Sequence, residues 1–133
     1  MNQEVRECLD FSREVLAEAH SDLRGGHYRG AVRSAYYTML HAAEGLLLNA
    51  GLEYSSHQAV QASLGRDFAA TGRFPKHLHQ YFVRGFRARQ DADYSKRANI
   101  TEEDGQLWIQ RAEEFLTAVE AYLATHPDET AEG

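Results

Sequence analysis

The stretch 27–50 places the tightest limit on what this chain can fold into. Tyr28, Ala31, Val32, Ala35, Tyr36, Met39, Leu40, Ala43, Leu46 and Leu47 recur there at helical spacing, with no proline among them. At 3.6 residues per turn these positions cover a wide arc of a helix, not a narrow stripe. Such a helix must be packed on several sides, so the rest of the chain has to supply helices that surround it.

The flanking sequence has that form. A first helix over 2–23 presents Val5, Leu9, Leu16, Ala19 and Leu23 on one face, with Cys8 and Val15 beside them, and Arg24-Gly25-Gly26 breaks it. Gly51 suits the position after the central helix. Ser55 or Ser56 can cap a third helix over 57–70, closed by Gly72. Phe74-Pro75 opens a fourth, which carries Leu78, Tyr81, Phe82 and Phe86 and reaches 94. After a loop over 95–100, Thr101 and Asp104 form a capping-box pattern, and Glu102 and Glu103 suit the positive end of the helix dipole. The fifth helix, to 124, turns Leu107, Trp108, Ala112, Phe115, Leu116, Val119 and Leu123 inward. With two prolines and no alternating strand pattern, the expectation is an all-α antiparallel bundle of four to five helices. It forms one domain over 1–125, followed by a polar, mobile tail over 126–133.

Several classes of function drop out. The single cysteine, Cys8, excludes an internal disulfide and a Cys-rich zinc site. His77 and His79 lack the i, i+4 spacing of a helical zinc site, so no metal is expected, and nothing in the sequence implies a cofactor. No apolar run approaches the roughly 18 residues of a membrane span, and the acidic N-terminus does not resemble a signal peptide, which points to the cytoplasm. The net charge of −6 argues against a protein coated in nucleic acid. Its distribution is uneven: 66–97 holds eight basic residues against three acids, which sets that segment at +5 and the remainder at −11. Such a field could attract a phosphate-bearing ligand or an acidic partner, provided the side chains share a face.

Polar residues on the central helix follow their own rhythm. Arg29, Arg33, Tyr37 and His41 recur every four residues, and Glu44 follows three later. The stripe is either the solvent face or one wall of a cleft; in a cleft, His41 could exchange protons and Glu44 could orient it. His57 opens the third helix, as a base or as part of a cap. The segment RARQDADY (87–94) poses the same choice. Arg87 and Asp91, and Arg89 and Asp93, are each one turn apart and could be exposed ion pairs worth at most a few tenths of a kcal/mol.

Here the residues carry a resemblance. RSAYYTMLHAAEGLLLNAGL (33–52), the SSH of 55–57 and RQDADY (89–94), followed by a final amphipathic helix containing EEFLTAVEAYL, resemble the small stand-alone HEPN proteins, the "higher eukaryotes and prokaryotes nucleotide-binding" family. The likeness spans about 8–123. It implies a four-to-five-helix bundle that forms homodimers. In ribonuclease members an Arg-x(4–6)-His motif from both subunits meets in a shared cleft and cuts RNA without metal. Many members are toxins beside a minimal nucleotidyltransferase antitoxin. Carried onto this chain, the resemblance makes Arg89 the phosphate contact. It gives Tyr94 a stacking or hydrogen-bonding role and Asp93 the orientation of Arg89 or contact with a base or ribose. Arg33, Tyr37 and His57 are further candidate ligand contacts.

The chain departs from the motif at one place, because Tyr94 stands where histidine is expected. A tyrosine with a pKa near 10 is ionised in only about one molecule per thousand at pH 7, which makes it a poor general base. The leading expectation is therefore a nucleotide- or RNA-binding protein with a degenerate ribonuclease motif, in a toxin–antitoxin or defence setting. One alternative is an active metal-independent ribonuclease in which His41 or His57 replaces the missing base. The other is a non-catalytic protein-interaction module.

Overall fold

A computed structural model describes residues 1–129, and the regular structure among them is entirely helical. The helices are α1 (Gln3–Arg24), α2 (Tyr28–Asn49), α3 (His57–Ser63), α4 (Lys76–Tyr94) and α5 (Glu102–Thr125), with a π-helical segment, Leu64–Ala69, continuing α3. The caps follow the local chemistry. Asn2, Ser56 and Thr101 each accept a hydrogen bond from a backbone N–H three residues on, and Asp104 completes the capping box. Gly26, Gly51 and Gly72 adopt positive φ at the turns.

The wide apolar arc places α2 at the centre. It packs most extensively on α1, then α5, then α4, with α3 along one end. Tyr36, Met39, Leu46 and Leu47 of α2 are fully buried, as are Leu9 of α1, Phe82 of α4, and Phe115 and Leu123 of α5. Burial of side chains this size contributes about 1.5–3 kcal/mol each before entropy is counted. Gly85 lets α4 approach α2 closely, since a Cβ there would lie 2.7 Å from Met39 Cε and 3.3 Å from the Trp108 ring.

The third helix differs from a regular α-helix over 57–70. After Ser63 it widens, and the Ala70 N–H donates to the Gly65 carbonyl five residues back. The His79 ring from α4 occupies the space a Cβ on Gly65 would take, and its Nε2 donates to the Gln61 carbonyl at 3.1 Å. Within the wide turn, Ser63 donates to Asp67 at 2.8 Å.

Residues 130–133 of the expected tail lie outside the described residues. The part before them is in contact with the bundle. Buried Asn49 donates to the His126 carbonyl and accepts from the Asp128 N–H, both at 2.8 Å. Glu129 accepts from Arg73 and from the Tyr122 hydroxyl. No described helix is long and apolar enough to cross a membrane.

Candidate functional site

The polar stripe of α2 runs past the end of α4 and the start of α3. Tyr37, His41 and Glu44 wall one cleft, Arg29 and Arg33 line another beside Asp22 and Ile100, and each member meets a different neighbour. Arg29 donates to the Asp91, Ala92 and Ala98 carbonyls at 3.2, 2.9 and 2.5 Å, so it closes the C-terminus of α4 and pins the loop beyond. Arg33 is ion-paired through Nε with Asp93. Tyr37 packs beside Arg89 and meets His57 edge-on, with ring centroids 6.1 Å apart. His41 hydrogen-bonds Glu44 at 2.8 Å.

Arg89 is the centre of the arrangement. Its side chain is only 11% exposed, and the guanidinium carbon lies 5.2 to 5.8 Å from the ring centres of Phe86, Tyr36 and Tyr37. Its Nη1 meets Asp93 at 3.4 Å. Its Nε is buried without a hydrogen-bond partner among the described residues. A desolvated cation gains roughly 2 kcal/mol from a well-placed aromatic face, and three faces make a cage that orients the guanidinium. Of the two ion pairs possible in RARQDADY, Arg89–Asp93 forms, while Arg87 and Asp91 have no ion pair among the described residues. Asp93 bridges Arg33 and Arg89, so its charge is met by two cations and does not stand free beside Tyr94.

His57, the first residue of α3, sits against the same three rings, with centroids 5.8 to 6.1 Å away, and its Nδ1 is hydrogen-bonded to the Tyr36 hydroxyl at 3.3 Å. Burial lowers its pKa below the usual histidine value, and the nearby Arg89 charge pushes the same way, so it is neutral at pH 7. The Tyr36 phenol is driven well above the usual range by burial, although the Arg89 charge opposes this, and stays protonated. His41, Glu44, Tyr37 and His57 line a cleft of about 250 Å³ together with Ser55 and Ser56. Tyr94 is different. It is 76% exposed at the end of α4, with no side-chain partner among the described residues.

Arg89, Asp93, Arg33, Tyr37 and His57 are thus brought into contact, His41 stands one turn along α2 from Tyr37, and Tyr94 is exposed at the end of α4. Sequence reasoning missed three participants. Tyr36 read as core, although a buried tyrosine needs a partner for its hydroxyl, and that need was the available signal. Phe86 also read as core, yet it lies one turn before Arg89. Phe11 was not singled out at all; half exposed, it stacks on His41 with centroids 4.4 Å apart. The basic segment 66–97 does not form one patch. Arg66 pairs with Asp67, Arg73 with Glu129 and Tyr122, and Arg89 with Asp93.

A small helical bundle with an arginine held near a helix end, beside a histidine from the helix before it, defines a class of protein. The HEPN domain matches residues 5–122, and the chain belongs to the HEPN family. It is 35% identical to a Thermotoga maritima protein named UPF0332, over 90% of this chain and 85% of that one. It is 28% identical to a Methanocaldococcus jannaschii protein named a "putative toxin", over 92% of this chain and 91% of that one. A second protein of that organism with the same description is 23% identical over 91% of this chain.

Proposed function

We propose that this protein binds nucleotide or RNA as a homodimer, in a toxin–antitoxin or defence setting with a minimal nucleotidyltransferase as partner. The observation that carries the binding role is Arg89, a nearly dry guanidinium oriented by three rings and a carboxylate, with a buried N–H left over. A phosphate oxygen can take the position Asp93 holds and accept a charge-assisted hydrogen bond. Names of relatives support the toxin-like setting. The family to which the chain belongs supports the dimer and the nucleotidyltransferase partner.

A second reading is favoured by His57. It is neutral, shares its rings with Arg89, and could act where Tyr94 cannot. Its imidazole would take the proton of a ribose 2′-hydroxyl as the O2′–phosphorus bond forms. The phosphorus–O5′ bond breaks, the leaving oxygen is protonated by the imidazolium, and a 2′,3′-cyclic phosphate remains. Arg89 would offset charge on the phosphoryl oxygens.

One experiment separates these readings. A labelled single-stranded RNA is incubated in EDTA with the wild type, Arg89→Met, His57→Ala and Tyr94→His, and both retention and cleavage are followed. Binding that weakens at least about tenfold in Arg89→Met, with no cleavage by the wild type, supports the binding role. Gain of cleavage in Tyr94→His supports a degenerate motif on an intact groove. Wild-type cleavage lost in His57→Ala makes the second reading correct. RNA bound equally by Arg89→Met refutes the binding role of the cage.

A further inference from the structure

A second groove, of about 400 Å³, lies between α3 and α4 and shares Phe86 with the Arg89 cage. Arg84 and Arg87, one turn apart on α4, line it, and Val83 and Phe86 supply its apolar surface. Gln58 and Gln61 come from α3 and Gln90 from α4. No carboxylate among the described residues lines it. Arg84 and Arg87 make no ion pair or side-chain hydrogen bond among the described residues, and the three glutamine amides have no partner either. Elsewhere in the basic segment Arg66, Arg73 and Arg89 are all neutralised by carboxylates. Lys76, Lys96 and Arg97 also have no carboxylate partner among the described residues, but Arg84 and Arg87 are the two unpaired cations of the segment that share a groove with free amides and apolar surface.

We infer that this groove is a subsite for single-stranded RNA, holding the nucleotides that flank the one bound at Arg89. The inference rests on the binding role proposed for Arg89. Guanidiniums one turn apart contact successive phosphates without regard to sequence. A primary amide offers a donor and an acceptor together, as an exposed base edge requires, and apolar side chains at the floor receive the face of an unstacked base. An acidic peptide would use the arginines and could pair its backbone with the amides, but its carboxylate side chains offer nothing flat to the apolar surface. Phe86 joins the two places, because one ring both walls the Arg89 cage and lines the groove. Arg87 and Arg84 lie around α4 from Arg89, so a strand leaving Arg89 crosses the Phe86 ring before it meets them.

The test uses the full chain and fluorescence anisotropy with three probes: a labelled single-stranded RNA 12-mer, a labelled dinucleotide and a labelled poly-glutamate peptide. Arg84→Gln/Arg87→Gln is compared with the wild type and with Arg84→Lys/Arg87→Lys. The expected result is that the Gln pair weakens 12-mer binding at least about tenfold and lowers the salt slope by about 1.4, the value for two phosphates on a single strand. The Lys pair keeps most of that slope, and dinucleotide binding stays as in the wild type. If the Gln pair binds the 12-mer as the wild type does, the groove inference is overturned while the role of Arg89 stands. If the wild type binds neither RNA probe, both fall. If the peptide binds and the Gln pair abolishes it without changing 12-mer affinity, the groove is a protein-docking surface and the inference is wrong.

Discussion

Removing the carboxylate of Asp93 tests how the Arg89 cage is held together. Arg89 and Asp93 are 11% and 15% exposed, so Asp93→Ala strands a nearly buried guanidinium whose Nε already lacks a partner. Leaving a fully buried charge uncompensated costs about 3–5 kcal/mol, whereas an exposed pair is worth about 0.2–1. The Arg89–Asp93 contact is a single long one at 3.4 Å, and Arg33, the other partner, is 44% exposed, so the loss there is small. The rings also remain around the cation. Together these place Asp93→Ala at about 2 kcal/mol less stable than the wild type. Arg89→Met keeps the stem packed, removes the charge and leaves Asp93 paired with Arg33, so it should stay within about 1 kcal/mol of the wild type. In urea titrations followed by far-UV circular dichroism, in phosphate-free buffer of low ionic strength, the double variant Arg89→Met/Asp93→Ala should be more stable than Asp93→Ala alone. Inorganic phosphate should then stabilise Asp93→Ala more than the wild type, because an anion can take the vacated position. If Asp93→Ala costs less than about 0.5 kcal/mol, or the double variant is the least stable of the set, the cage does not rely on this carboxylate and the reasoning fails.

Three further outcomes follow from the same geometry. The folded pKa of His57 is depressed, so its contribution to stability is complete above about pH 6.5 and is lost as the pH falls through the folded value; His57→Gln should flatten that acid limb, and superimposable stability–pH curves would contradict it. Burial pushes the Cys8 thiol up to about 11, with Glu44 adding to the effect, so near pH 8 it should alkylate about a hundredfold more slowly than in the urea-unfolded chain; equal rates would show an open thiol. Gly85→Ala presses a methyl against Met39 and the Trp108 ring and should cost about 1–3 kcal/mol in chemical denaturation, whereas a neutral result would mean that α4 can shift away from α2 freely.

The helices were legible because caps and apolar spacing are local. Asn2, Ser56 and Thr101 announce three starts, and Gly26, Gly51 and Gly72 mark three turns. The π-helical widening was not legible, since it depends on His79 arriving from another helix to seat against Gly65. At the site, the periodicity of Arg33, Tyr37 and His41 marked a line along α2 but not its neighbours. The Arg33–Asp93 pair joins residues sixty positions apart, which no helical spacing encodes. Arg29 belongs to the same line yet spends its donors on backbone carbonyls, a role its side-chain type does not reveal. Tyr36 and Phe86 were hidden by being hydrophobic, because a residue that lines a cage and one that fills a core share the same pattern.

The three carbonyls gripped by Arg29 have a dynamic consequence. Helix ends ordinarily fray on their own, with their amides exchanging against solvent while the rest of the fold stays shut. Here the last turn of α4, the one that carries Asp93, is tied to the first turn of α2 and to the loop at Ala98. Local opening at that end therefore requires the start of the central helix to release it. Deuterium uptake in these three pieces should rise and fall as one cooperative unit, so that loosening the turn before α2 registers at Arg89 without any residue there having been changed.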